Sequence, residues 1–246
     1  MPRLLARRVP LTGVLRALLA GTMAATVMTA CSGGDGGGGG GGGAGPAFDA
    51  ADTLRRSSAA MAGLKSIGFT MTTEGKPPIM VRGGEMKLLR GGDADGTVTV
   101  EQSGQRVEME IVASGDSVYI KAVTGGWRKV PRAMAATLYD PSAVLDPERG
   151  ISKLLTTVTG PRAEATEKVG GKEARRVGVT LPKAAVGGLI PGVDSDVKGQ
   201  VWVSTADHRL LKVRGDVPPA AGGGDRGSVI ITFTEFDAPY TIKAPA

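Results

Sequence analysis

The chain is poor in the residues that ordinarily carry chemistry. Its 246 positions hold one cysteine and one histidine, and 4% are aromatic. A single cysteine cannot close a disulfide within the chain, and one cysteine with one histidine cannot build a zinc site. His208 follows Asp207 in a segment that reads as a turn, and no Gly-x-Ser-x-Gly is present to offer it a nucleophile. No Lys/Arg-rich run interleaves with aromatics, so neither a base-stacking platform nor a nucleic-acid partner is expected. The glycine-rich stretch near the start lacks the Gly-Lys-Ser/Thr of a phosphate loop and follows no strand. Asp140, Asp146 and Glu148 are spaced by prolines and read as caps rather than as a hard-cation site. After residue 30 no apolar run is long enough to cross a bilayer as a helix. The expectation is a protein that is not an enzyme and needs no cofactor.

Export signals, by contrast, are plentiful. Arg3, Arg7, Arg8 and Arg16 precede or interrupt an otherwise apolar run from Val14 to Ala30 that contains no acidic residue. Met28-Thr29-Ala30-Cys31 then closes it. A basic start, an apolar stretch and a small residue before cysteine form the order of a bacterial lipobox, with residues 1–30 as signal peptide and Cys31 as the acyl acceptor. Met28 stands where leucine is usual. An unmodified buried thiol is the plain alternative, and it leaves the order of these parts unexplained. Residues 31–46 are glycine-rich, with an unbroken run from Gly36 to Gly43. Glycine offers no side chain to bury and a freely rotating backbone, so this stretch reads as a flexible leash with a reach of roughly 20 Å. Lipid attachment through two or three acyl chains suffices for stable anchoring, here on the extracytoplasmic face of the cell membrane. Four of the 30 basic residues leave with the signal, so 26 remain against 24 acidic ones, and the formal +6 shrinks to +2.

Residues 47–246 are enough for one generous domain. Phe48–Lys65 reads as a helix capped by Asp49, with Ala50, Leu54, Ser57, Met61 and Leu64 on one face. Alternation then has period two: Ile67, Phe69 and Met71; Val98 and Val100; Val107, Met109 and Ile111 between Glu108 and Glu110; Val118, Ile120 and Ala122. Gly91-Gly92-Asp93, Ser103-Gly104, Ser114-Gly115-Asp116 and Gly125-Gly126 punctuate these runs as tight turns. A helical interruption is expected from about Pro131 to Val158, with Asp146-Pro147-Glu148-Arg149 opening its last helix. A hairpin over 162–169 and 172–181, a short helix over 183–190, and strands over 197–204, 209–217 and 228–236 complete an α+β pattern of about ten strands and four helices. Met71, Met80, Met86 and Met109 fall in the sheet region. Methionine fills irregular cores and also lines surfaces that accept varied apolar ligands, and composition does not choose between the two.

The run Leu138-Tyr139-Asp140-Pro141-Ser142-Ala143-Val144-Leu145-Asp146-Pro147-Glu148-Arg149-Gly150-Ile151 resembles a characteristic segment of the LprG/LppX-type lipoproteins of mycobacteria and related actinobacteria. Ser57-Ser58-Ala59-Ala60, Ile67-Gly68-Phe69-Thr70, Val201-Trp202-Val203-Ser204 and Asp207-His208-Arg209-Leu210 fit the same family. The resemblance covers nearly all of residues 48–237. It implies a half-barrel: a strongly curved antiparallel sheet with helices on its concave side, enclosing a hydrophobic cavity. It also implies an acylated lipid or glycolipid ligand, movement of that ligand through the envelope, and a transporter partner there. The residues expected to line the cavity are Phe69, Met71, Val98, Val100, Val107, Met109 and Ile111 on the strands. Leu138, Tyr139, Val144, Leu145, Leu154 and Leu155 join them from the helical segment.

Two functional readings follow. The first is a tethered carrier that buries acyl chains. The second keeps the fold but fills the core, giving a lipid-tethered protein-interaction or sensory module. An extracytoplasmic hydrolase is a distant third, for want of a catalytic set.

Overall fold

A computed structural model describes residues 47–122, 124–136, 140–187, 193, 195–219 and 226–246. Cys31 and the segments 1–30 and 31–46 lie outside the described residues, as do Leu138 and Tyr139.

The chain opens with helix α1, Ala50–Ala62, and continues through strands β1 (Ser66–Gly75), β2 (Val81–Leu89), β3 (Ala94–Gln102), β4 (Gln105–Ser114), β5 (Ser117–Ala122) and β6 (Arg128–Pro131). Three helical pieces follow: α2 (Arg132–Ala135), the 3-10 turn η1 (Pro141–Leu145) and α3 (Ile151–Thr157). Strands β7 (Thr159–Val169) and β8 (Lys172–Leu181), helix α4 (Lys183–Val186), and strands β9 (Val197–Ser204), β10 (Leu210–Val217) and β11 (Gly227–Phe236) complete it. All strands join one antiparallel sheet in the order β6-β5-β4-β3-β2-β1-β11-β10-β9-β8-β7. It does not close into a barrel; β6 and β7 are its edges.

Two meanders, β1–β6 and β7–β11, are sewn together by the pairing of β1 with β11, whose register runs from Ile67 opposite Phe236 to Gly75 opposite Gly227. No local signal in the sequence specifies this seam. One contiguous core nevertheless joins Val118 of β5 to Val179 of β8, eight strands away, through side chains of α1, η1 and α3. At about 4.8 Å per strand those positions would lie nearly 40 Å apart on a flat sheet. The sheet therefore curls around its helices, which is the expected half-barrel architecture.

Bulges supply part of the bend, at Gly68/Phe69 in β1, Leu210/Lys212 in β10 and twice in β7. Glycine supplies another part. A Cβ on Gly96 would meet the Glu85 carbonyl oxygen at 2.0 Å, and one on Gly84 would meet that of Thr97 at 2.4 Å. Only glycine allows β2 and β3 to approach so closely.

α1 forms where Asp49 accepts the Asp52 N–H at 2.7 Å and Leu54, Ser57 and Met61 turn inward. It has no basic residue in its last turn. Arg90, at the end of β2, supplies one: its guanidinium donates to the carbonyls of Ala62 and Leu64, the latter at 2.8 Å from Nε. At the other end of the helix Arg175 of β8 lies 5.4 Å from the Phe48 ring centre. α1 thus spans from β8 to β2 across the end of the sheet where β2 finishes and β3 begins.

Several expectations are corrected. β2 and β6 were not anticipated: Gly83-Gly84 interrupts the apolar alternation of β2, and β6 is four residues long and ends in proline. Met80 is not in a strand; it lies in the β1–β2 turn, 66% exposed. Asp146 accepts the Glu148 N–H at 2.8 Å and the Arg149 N–H at 3.2 Å, but this closes a turn, and α3 starts later with Gly150 before it. The helix expected over 183–190 is described only as Lys183–Val186; residues 188–190 lie outside the described set.

Candidate functional site

Residues directly opposite in antiparallel strands share a face. On the helix-bearing face of β1–β5 the register aligns Met71, Gly84, Val98, Met109 and Ala122 in one row. The row continues over the seam through Ile231, Val213, Val201 and Val177. A second row holds Val81, Val100 and Val107, and a third holds Phe69, Met86, Gly96, Ile111 and Ile120. On the other face the matching row reads Thr70, Glu85, Thr97, Glu110 and Lys121, with Lys121 Nζ 3.2 Å from Glu110. The alternation expected for 107–111 holds: Val107, Met109 and Ile111 are half-buried, and Glu108 and Glu110 are exposed.

Packing divides these rows. On β8 and β9, Val177 and Val201 are buried in the main core. Phe69, Met71, Met86, Ile111 and Ile231 are half-buried and pack against it, with Phe69 and Phe233 ring centres 6.3 Å apart. Val98, Val100, Val107 and Met109 are half-buried and are not part of it. The helices explain the division. α1 covers one end of the sheet, where the Leu210 N–H points at the Met61 sulfur 3.4 Å away. α3 is held to α1 by a hydrogen bond from the Ser58 hydroxyl to the Ser152 carbonyl at 2.7 Å and runs toward α4. The main packing partners of α1 are α3, β7 and β9, and those of α3 are α1, α4 and η1. Gly84 and Gly96 place no side chain in two rows on neighbouring strands, and the Met86 sulfur lies beside the Gly96 position.

The helical candidates take a different place. Val144, Leu145 and Leu155 are buried in the core, and Leu154 packs against it. η1 owes its position to Asp140, which accepts both the Ser142 N–H at 3.0 Å and the Ser142 hydroxyl at 2.6 Å. Asp146 binds the backbone N–H of Glu148 and then the Arg149 guanidinium, and both hold its carboxyl below the usual carboxylate range. Asp140 thus caps η1 as expected, whereas Asp146 closes the turn before α3 rather than capping the helix. His208 sits in the β9–β10 turn at φ 58°, donating its N–H to the Ser204 carbonyl.

Val81 and Met86 belong to the apolar face without having been singled out for it. Met86-Lys87-Leu88 carried the alternation, but the two preceding glycines hid the strand. The reverse face holds a different feature, an open dent of about 650 Å³ at the far ends of β1, β9, β10 and β11. Three of its charges pair with one another: Arg214 donates to Glu74 at 2.7 Å, lies 3.4 Å from Asp216, and also donates to the Ser228 hydroxyl at 2.9 Å. The Glu74 bond outweighs burial and raises the already high pKa of Arg214.

An uncovered apolar patch inside an otherwise helix-lined curved sheet can be compared with known proteins. The family model described as LppX_LprAFG lipoprotein matches residues 49–242. The chain belongs to this lipoprotein family. Similar curated proteins include the lipoarabinomannan carrier protein LprG of Mycolicibacterium hassiacum, 29% identical over 96% of this chain and 98% of the relative. The protein of the same name from Mycolicibacterium smegmatis is 27% identical over 82% of this chain and 85% of the relative. The fold matches the crystal structure of LprF from Mycobacterium bovis with a TM-score of 0.68 at 21% identity, covering 80% of this chain and 97% of that one. It matches that of LppX from Mycobacterium tuberculosis with a TM-score of 0.57 at 20% identity, covering 78% and 97%. No helix among the described residues is long and apolar enough to cross a membrane.

Proposed function

We propose that this chain is a membrane-anchored carrier that holds the acyl chains of a lipid or glycolipid against the apolar face of β1–β5 and moves it within the cell envelope. The observation that supports it most is that Val98, Val100, Val107 and Met109 keep apolar side chains on the inner face of a curved sheet without packing into the core. Phe69, Met71, Val98, Val100 and Ile111 would complete the strand side of the lining. Leu154, with Leu138 and Tyr139, would form the helical side, while Val144, Leu145 and Leu155 stay in the core beneath it.

The energetics favour acyl chains over a polar guest. Each buried methylene contributes about 0.8 kcal/mol, so ten contribute about 8 kcal/mol, comparable to a micromolar affinity before ordering costs. The headgroup needs no fixed partner there and can stay in water. The names of the LprG relatives, and of the M. bovis relative called a putative diacylated glycolipid transporter, LprF, accord with such a ligand. Anchoring would come from a diacylglyceryl group on Cys31 at the extracytoplasmic face, with the glycine leash giving reach toward a transporter partner.

Met109→Trp tests the reading. A ring placed into unfilled space keeps the fold and blocks the guest, whereas overpacking a filled core costs about 1–3 kcal/mol. The expected result is an unchanged melting temperature and sharply reduced uptake of a fluorescent acyl lipid. A large loss of stability would favour the filled-core interaction module. Cys31→Ala should release the protein from membranes into the soluble fraction after a high-salt wash, and a variant that stays bound would refute the anchor.

A further inference from the structure

We propose that Arg128 of β6 binds the phosphate of a diacyl lipid whose chains lie on the apolar face of β1–β5, so that the site favours guests with an anionic group beside the acylated glycerol. This assignment rests on the carrier reading and names the ligand class within it.

The row of Phe69, Met86, Gly96, Ile111 and Ile120 runs on to β6, where Arg128 stands opposite Ile120. Ile120 packs against the main core, so this is the helix-bearing face. The flanking residues agree in parity. Lys129 stands opposite Tyr119 on the outer side, in the row of Val112, Asp95 and Lys87, with its Nζ 5.8 Å from the Tyr119 ring centre. Among the described residues of β1–β6, Arg128 is the one charged side chain that this register sets on the inner face.

Arg128 is also free to bind. It is exposed, and no hydrogen bond or ion pair engages it among the described residues. Arg82, Arg90 and Arg132 are committed, to Glu101 at 2.9 Å, to the Leu64 carbonyl at 2.8 Å and to Asp93 at 2.6 Å. Arg106 is exposed too, but it lies on the outer side opposite Glu101. An inward-pointing charge can guard an edge strand against pairing with another chain. β6 is protected without it, being four residues long and ending in Pro131.

The chemistry of a phospholipid fits this placement. Its phosphate follows directly on the acylated glycerol, so the charge sits beside the acyl chains. β6 lies two strands, roughly 10 Å, from Met109 on β4. Chains laid over Val98 and Met109 therefore bring the phosphate within reach of a guanidinium at the β6 edge. Guanidinium meets phosphate with two parallel N–H donors. Because Arg128 is exposed, the group beyond the phosphate stays in water.

The test titrates the full chain with two fluorescent guests that share pyrene-labelled acyl chains, a phosphatidylglycerol and a diacylglycerol. A charge-assisted pair should favour the phosphatidylglycerol by about tenfold. Arg128→Gln should bring that ratio close to one. Arg128→Lys keeps the charge but not the fork, and should leave the ratio in between. Arg106→Gln, on the outer side, should keep the wild-type ratio, which separates a local contact from net charge. Near-ultraviolet circular dichroism checks that the variants are folded. Equal affinity of the wild type for both guests, or a ratio that survives Arg128→Gln, would overturn the assignment and leave the carrier reading standing. An equal loss of both guests in Arg128→Gln would make the arginine structural and overturn it as well. Inorganic phosphate in modest excess should not compete; competition would reassign Arg128 to free anions. Uptake of neither guest would overturn this assignment and the carrier reading together.

Discussion

The two halves of the sheet write the same inner row in nearly the same residues and use it differently. Val177 and Val201, on β8 and β9, are buried in one core with side chains of α1 and α3. Val98 and Met109, on β3 and β4, occupy the same row and remain half-buried outside the core. Hydrophobicity and alternation are equal on both sides; the difference lies in which helix passes overhead. Period-two patterning tells which face of a strand is apolar. It does not tell what covers that face, and in a carrier the uncovered part is the functional one.

Truncating side chains on either side of this divide gives the largest contrast. Leu155→Ala removes a fully packed side chain from α3 and should cost about 2–5 kcal/mol, because the covered half cannot collapse around the hole. Val107→Ala, in the uncovered half, should cost less than about 1 kcal/mol. Urea unfolding of both variants measures the gap, and equal losses would mean that both halves are equally filled.

A smaller effect tests how the uncovered half is shaped. Gly96→Ala must displace the Glu85 carbonyl or move β2 from β3, an overpacking expected to cost about 1–3 kcal/mol. Gly126→Ala has no atom within 4 Å of the added Cβ and serves as the control. Lipid uptake by Gly96→Ala should fall as well, since the gap between two rows would narrow.

The smallest effect concerns the turn that leads into α3. The Asp146 carboxyl is held below the usual range, so its stabilising contribution is present above its unfolded-state value and is lost as pH falls through the lower folded-state value. Wild type should be slightly more stable than Asp146→Asn at neutral pH, and the two should converge in acid below the ordinary carboxylate range. Thermal unfolding across that range checks it. A difference that persists in acid would mean that the turn does not depend on the charge.

Much of this architecture was legible before the coordinates. Lys172–Leu181 and Val197–Ser204 appear with the expected bounds because their apolar residues alternate without interruption. α1 appears because its cap and its inward face are both written locally. What was missed was missed for a reason: Gly83-Gly84 erases the alternation of β2 because glycine has no side chain to place on a face, and β6 is too short to have a period. The lining candidates on β1, β3 and β4 share one face as expected, since that requires only parity.

Sequence alone thus determined the strand faces, the turns, the capped first helix and the resemblance to a lipoprotein family, because each rests on residues close together along the chain. Tertiary structure decided the β1–β11 seam, the capping of α1 by Arg90 and the line between covered and uncovered apolar rows. These join residues far apart in sequence, from Ile67 with Phe236 to the carbonyl of Leu64 with Arg90, and only the curled sheet brings such partners within reach.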